Sequence, residues 1–225
     1  MDLVKAIIFD LEGTLVQSST RFSRMKAMMI KFLSNHGVNR NLISTQQSTT
    51  TIIERAIDSL RKKGMSESKI KTTLRQLGDI MDKSELEGVN EVKPIKGAKD
   101  SLERLSSRDI KIGILTRCCK AYAVEALKRC GMISLVDFIE ARSDLLEAKP
   151  NAVSAWRLCK MLGVEPDEAV IVGDHWIDVE CANSAGIDFI GVLSGLSDKD
   201  TLEKAGCKTF AKNITKIEDM LNLTG

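Results

Sequence analysis

Short runs of apolar, mostly β-branched residues recur along the chain and alternate with segments of helical periodicity. The first run, centred on Ile7, Ile8 and Phe9, is typical of a strand that is buried on both faces. Similar runs follow at 110–115, 169–172 and 189–193, with a weaker one near 136–139. Helical patterns separate them at 98–105, 121–130, 152–162 and 179–185. This alternation predicts an α/β fold in which helices cover a parallel sheet.

The stretch 17–88 follows a different pattern, because it contains no strand-like run. Three stripes of apolar residues at helical spacing begin in it at Phe22, Ile53 and Ile70. We therefore expect a small all-α domain at 17–88, inserted after the first strand, and an α/β domain formed by 1–16 and 89–225.

Length and composition exclude several classes of protein. The chain has 225 residues, of which 43% are hydrophobic and 28% charged, so it can bury a core without disulfides or structural metals. A net charge of +2 without a basic block argues against a nucleic-acid partner, and no apolar run is long enough for a membrane span. An acidic residue at position 2 and six cysteines without a CxxC pair favour the cytoplasm. We expect a monomer or a homodimer.

Polar residues follow the predicted strands at the points where a parallel sheet binds its ligands. Three such segments and one isolated lysine supply them: Asp10-Leu11-Glu12-Gly13-Thr14, Thr116-Arg117, Lys149, and Gly173-Asp174 with Asp178. Carboxylates crowded at one edge repel each other unless a cation compensates them, and oxygen ligands suit Mg²⁺. A lysine at the start of a helix, such as Lys149, opposes the helix dipole and indicates a bound anion. Asp178 could instead cap the following helix, and Arg117 could be a surface residue.

In this order and spacing, these segments resemble the four motifs of the haloacid-dehalogenase-like superfamily. The segments around Ala148-Lys149-Pro150 and Val172-Gly173-Asp174 are similar to those of its phosphoglycolate-phosphatase-like members. Four ordered motifs are far more specific than any one of them. The resemblance implies a Rossmann-like core, a helical cap at 17–88, and a phosphatase that hydrolyses a small phosphorylated metabolite.

The resemblance also implies a role for each residue. Asp10 would attack phosphorus to form an aspartyl-phosphate, and Glu12 would act as general acid and then as general base. The phosphate would be bound by Thr116, Arg117 and Lys149. The Mg²⁺ ligands would be Asp10, the backbone carbonyl of Glu12, Asp174 and Asp178.

Glu12 departs from the usual pattern, since most members of the superfamily have an aspartate there. Enolase-phosphatases of the same superfamily share the Asp-x-Glu-Gly-Thr sequence, so they are one alternative. A phosphoglucomutase-type phosphotransferase and a non-catalytic binding protein with the same fold are the others. A haloacid dehalogenase fits less well, because its chemistry requires neither Glu12 nor an acidic metal site.

Overall fold

A computed structural model describes residues 4–18 and 20–221. It divides into two compact units, Met1–Ser18 with Asn90–Gly225, and Ser19–Val89. The acidic start of the chain, from which we predicted the cytoplasm, lies largely outside the described residues. Every helix within the described ranges is too short or too polar to cross a lipid bilayer.

The first unit is built on a parallel sheet. The strands of the described chain are β1 (Ala6–Phe9), β2 (Val16–Gln17), β3 (Lys93–Pro94), β4 (Lys111–Cys119), β5 (Phe138–Arg142), β6 (Ala169–Gly173), β7 (Asp188–Val192) and β8 (Thr209–Ala211). Six of them form one sheet in the order β5-β4-β1-β6-β7-β8, and all of its pairings are parallel. The predicted α/β fold is confirmed.

Helices follow the strands of this sheet. In chain order, the helices of the described residues are α1 (Phe22–Asn35), α2 (Thr49–Lys62), α3 (Glu67–Gly88), α4 (Ala98–Ser106), α5 (Lys120–Arg129), α6 (Ala152–Leu162), α7 (Trp176–Ala185), α8 (Lys199–Lys204) and α9 (Ile217–Met220). Ala6 and Ile8 of β1 pack into a core cluster with α6 and α7. Ile7 and Phe9 point to the opposite face and are also fully buried, so the sheet is covered on both faces.

Three details of this unit differ from the expectation. Strand β4 continues past Leu115 to Cys119, because an irregularity in its register lets Cys119 pair with Arg142. Strand β8 was not predicted, since three residues carry too little pattern to be read as a strand. Strands β2 and β3 form a separate antiparallel pair that keeps Gln17 in the first unit, so the helical unit begins at 19 rather than 17.

The helical unit consists of α1, α2 and α3. Its core is formed by the predicted apolar stripes, represented by Met29, Leu33, Ile53 and Leu77, all of which are buried. Helix α2 begins at a Ser48 cap, whose hydroxyl accepts a hydrogen bond from the Thr51 N–H at 3.0 Å.

Candidate active site

Three buried aspartates come together where β1 and β6 end. Asp10 follows β1, Asp174 follows β6, and Asp178 lies in the first turn of α7. The two strands are hydrogen-bonded neighbours in the sheet, so the residues that follow them are brought side by side. Carboxylate oxygens of the three residues lie within 4.8 Å of one another. We call Asp10, Asp174, Asp178 and Lys149 the charged cluster.

Lys149 is the cation of this cluster. Its Nζ lies 2.6 Å from Asp10 Oδ1 and 2.6 Å from Asp178 Oδ1, and the side chain is 2% exposed. Burial alone would lower the pKa of the ammonium, but the charges of Asp10 and Asp178 outweigh it and raise the pKa. Helix α6 begins only at Ala152 and is capped by Asn151, whose side chain accepts from the Val153 N–H. Lys149 therefore precedes the helix cap and is paired with two carboxylates, and its predicted binding of an anion stays a prediction.

The aspartates remain under-compensated, because one ammonium faces three carboxyl groups. Burial raises the pKa of Asp10 well above its usual range, and the charges of Asp178 and Asp174 add to this effect, while Lys149 opposes it. Burial, together with the Asp178 charge, raises the pKa of Asp174 to about 6. A divalent cation would relieve this repulsion, and a set of oxygen donors fits Mg²⁺. The four predicted ligands, which are these three aspartates and the backbone carbonyl of Glu12, stay predictions.

Asp174 is held by two loops. Its Oδ1 accepts a hydrogen bond from the Thr14 hydroxyl at 3.0 Å, and its Oδ2 accepts one from the Leu196 N–H at 2.6 Å. Gly13 has a φ of +92°, and a Cβ atom at Gly13 or Gly195 would overlap with the Asp174 side chain. The backbone approaches this carboxylate so closely that both positions require glycine.

Asp178 caps the helix, as the sequence left open, and it also pairs with Lys149, while its role as a metal ligand stays a prediction. One of its carboxylate oxygens binds Lys149, and the other accepts from the His175 N–H at 3.1 Å. His175 in turn caps α7, because its Nδ1 accepts from the Ile177 N–H at 3.3 Å. Burial lowers the pKa of His175, so the neutral ring needed for this cap is favoured. The sequence did not reveal the capping role of His175.

Thr116 and Arg117 lie in the last part of β4, which is adjacent to β1 in the sheet. The Thr116 side chain is buried, and its Oγ1 accepts a hydrogen bond from the Cys118 N–H at 3.1 Å. Arg117 is half-buried, and its guanidinium donates to the backbone carbonyl of Lys149. It therefore braces the loop that carries Lys149, and its predicted binding of phosphate stays a prediction.

The carboxylate of Glu12 accepts hydrogen bonds from two hydroxyls and a thiol. Its Oε1 accepts from the Tyr122 hydroxyl at 2.9 Å and from the Ser18 hydroxyl. Its Oε2 is 2.7 Å from the Cys118 sulfur. We call Glu12, Tyr122, Cys118 and Ser18 the Glu12 pocket. Its donors were not predicted, since Tyr122 belongs to the apolar stripe of α5 and only its hydroxyl distinguishes it from a core residue.

Comparison with known proteins identifies the family. The sequence matches the haloacid dehalogenase-like hydrolases over residues 7–192, which is most of its length. The chain belongs to that family. The family and the enzyme class that the four motifs predicted are confirmed.

Individual relatives of this haloacid dehalogenase-like hydrolase cover nearly all of it. The phosphoglycolate phosphatase of Synechococcus elongatus is 30% identical over 204 residues, which is 90% of each chain. The phosphoglycolate phosphatase of Chromobacterium violaceum is 25% identical over 220 residues, 97% of this chain and 96% of its own. A hydrolase from Pseudomonas syringae has the same fold, with a TM-score of 0.72 at 23% identity over 98% of this chain and 99% of that one.

Proposed function

We propose that this hydrolase is a Mg²⁺-dependent phosphatase that cleaves a small phosphomonoester through an aspartyl-phosphate on Asp10. The observation that carries the proposal is the charged cluster, in which Asp10 shares a buried lysine with Asp178 and lies beside Asp174. Relatives that cover nearly the whole chain are named phosphoglycolate phosphatases, which favours a small and carboxylated substrate.

Asp10 is the nucleophile. Lys149 engages its Oδ1, so Oδ2 is the oxygen that attacks phosphorus as the bond to the ester oxygen breaks. Glu12 protonates the departing alcohol and then removes a proton from the water that attacks the aspartyl-phosphate. Phosphate leaves, and Asp10 is regenerated as a carboxylate.

Three residues would bind the phosphoryl group, one by a hydrogen bond and two by positive charge, and a metal ion would offset more of its negative charge. Thr116 donates its hydroxyl hydrogen to a phosphoryl oxygen, and Lys149 and Arg117 supply positive charge on the same side of the sheet. Asp10, Asp174, Asp178 and the backbone carbonyl of Glu12 would hold Mg²⁺. When bound, the ion offsets the negative charge of the phosphate and orients it for attack.

The helical unit takes the role of a cap that selects the substrate, as the family resemblance implies. The cytoplasmic location and the choice between monomer and homodimer stay predictions.

The test is phosphate release from a panel of phosphomonoesters with Mg²⁺, with Asp10→Asn as the blank. We expect turnover by the wild type, no turnover by Asp10→Asn, and reversible loss of activity with EDTA. Asp200→Asn, which removes an exposed aspartate, is the matched control and should keep full activity. A beryllofluoride adduct that forms on the wild type but not on Asp10→Asn would place the phosphoryl group on that residue.

Other outcomes would overturn the proposal. Isomer formation without phosphate release would indicate a phosphotransferase. Binding of phosphomonoesters without turnover would indicate a non-catalytic protein. Full activity of Asp10→Asn would exclude Asp10 as the nucleophile.

A further inference from the structure

Both carboxylate oxygens of Glu12 have a donor from the same stretch of chain, where β4 passes into α5. Tyr122 holds Oε1 and Cys118 holds Oε2, at 2.9 Å and 2.7 Å. The Tyr122 side chain is fully buried, and a buried tyrosine hydroxyl needs a polar partner. Glu12 therefore occupies a prepared site on this segment.

We infer that Tyr122 and Cys118 are positioning residues that hold the Glu12 carboxyl group for proton transfer. The inference rests on the proposed function, in which Glu12 is the general acid and base. Tyr122 and Cys118 keep their own protons in both steps and touch neither substrate nor phosphorus. Their effect is to restrict a long and flexible side chain to one arrangement, since small displacements of a catalytic group are costly.

The geometry also links Glu12 to Thr116. Cys118 gives its backbone N–H to Thr116 Oγ1 and its thiol hydrogen to Glu12 Oε2. The hydroxyl proposed to bind the phosphate and the carboxyl proposed to protonate the leaving group are thus set by a single residue. A thiol is a weaker donor than a hydroxyl, so Oε2 is the oxygen more easily released to exchange a proton, while Tyr122 keeps Oε1 in place.

The pocket is matched to glutamate rather than aspartate. An aspartate at position 12 would be shorter by one methylene, and its carboxylate would fall short of the Tyr122 hydroxyl by about 1 Å or more, beyond hydrogen-bond distance. Glu12 and Tyr122 consequently act as a pair. The proposed effect of the Tyr122 hydroxyl on proton transfer therefore requires a glutamate at position 12.

The experiment compares leaving groups. An alkyl phosphate releases a poor leaving group that requires a proton, whereas p-nitrophenyl phosphate releases a stable phenolate that requires none. We measure kcat/KM because it ends with the release of the alcohol and so excludes the hydrolysis step that both substrates share. Tyr122→Phe should lower kcat/KM for the best alkyl phosphate of the panel by about tenfold, a fraction of the usual contribution of a general acid. It should lower kcat/KM for p-nitrophenyl phosphate by less than about twofold, because that reaction has little need of the acid.

Two further comparisons separate positioning from a merely structural role. Cys118→Ala should show the same selective loss on the alkyl phosphate, and Cys118→Ser should restore most of it by returning a donor. Cys130→Ala removes a buried thiol at the other end of α5 and should change neither rate. In a Glu12→Asp background, adding Tyr122→Phe should have no further effect.

Each outcome of these measurements refutes a different hypothesis. A wild type without phosphatase activity refutes the proposed function itself. An active wild type whose rates fall equally on both substrates in Tyr122→Phe, or do not fall, refutes the positioning role. An additive effect of Tyr122→Phe in the Glu12→Asp background refutes the pairing. If Tyr122→Phe does not fold, Cys118→Ala and Cys118→Ser decide the question in the same way.

Discussion

The two carboxylates of the Asp10-Leu11-Glu12 segment lie two residues apart but have different hydrogen-bond partners. Asp10 belongs to the charged cluster, where an ammonium and two further carboxyl groups surround it. Glu12 belongs to the Glu12 pocket, where two hydroxyls and a thiol donate hydrogen bonds to it. One short segment therefore supplies a carboxylate that is paired with an ammonium and a second that accepts hydrogen bonds from hydroxyls and a thiol, which suits the proposed nucleophile and the proposed proton carrier respectively.

The largest expected effect comes from removing the cation of the charged cluster. Lys149→Met leaves Asp10 and Asp178 buried without it, and we expect at least about a thousandfold loss of phosphatase activity. Without metal, the free energy of unfolding should fall by about 3 kcal/mol. Urea unfolding in EDTA and initial rates in Mg²⁺ measure the two effects. Lys160→Met, which removes an exposed lysine of α6, should leave both unchanged.

Metal addition distinguishes the two regions directly. Saturating Mg²⁺ should raise Tm of the wild type, since a ligand at a hundred times its Kd adds about 2.7 kcal/mol to the free energy of unfolding. Asp174→Asn should lose most of that gain. Glu12→Gln should keep this gain while losing turnover, because only the backbone carbonyl of Glu12, and not its side chain, is proposed to bind the metal. A Glu12→Gln protein that no longer responds to Mg²⁺ would contradict the separation.

A substitution at Gly13 tests how closely the backbone approaches the Asp174 side chain. Gly13→Ala adds a Cβ that overlaps with the Asp174 side chain and also forces alanine to φ +92°. We expect a loss of about 3 kcal/mol in the free energy of unfolding, together with lower activity. Gly163→Ala is the matched control: its φ is +71°, but no atom lies near the added Cβ. It should cost only about 1 kcal/mol, and equal losses in the two variants would mean that Asp174 moves freely.

The raised pKa of Asp174 predicts how the metal-free protein responds to pH. Because its pKa is about 6 in the folded state and 3.8 ordinarily, the folded state holds more protons between these values. The stability that this group contributes is complete below about pH 4 and is lost as the pH rises through 6. Metal-free wild type should thus gain about 1–2 kcal/mol from pH 7.5 to pH 5 relative to Asp174→Asn. The gain in Tm from Mg²⁺ should shrink over the same interval, since protons compete with the metal.

The smallest loss of activity is expected for Arg157, which lies outside the charged cluster and supports the loop before Lys149. Arg157 of α6 pairs with Glu140 at 2.7 Å and with Glu147 at 2.5 Å, and Glu147 is two residues before Lys149. Arg157→Met should loosen this loop and lower kcat by about threefold, with a stability loss below about 1 kcal/mol because the pair is partly exposed. Arg61→Met breaks an exposed pair with Glu67 in the helical unit and should leave kcat unchanged.

The sequence predicted the charged cluster better than the Glu12 pocket, and the reason is physical. Asp10, Asp174 and Asp178 follow buried strands, so strand order alone is enough to bring them to one edge of the sheet. Tyr122 and Cys118 reach Glu12 through side-chain direction on a helix and an irregular strand end, which no periodicity encodes. The short strand β8 and the β2–β3 pair were not predicted for a related reason, since two or three residues cannot establish a hydrophobic pattern.

The double hydrogen bonding of Asp178 makes one backbone amide a reporter for the whole charged cluster. The His175 N–H is protected from exchange with solvent only while the Asp178 carboxylate stays in place, and Lys149 holds the other oxygen of that carboxylate. The first turn of α7 is thus linked to Lys149 through the two oxygens of one carboxylate. Deuterium uptake at the His175 amide would report the opening of this turn without a label in the candidate site.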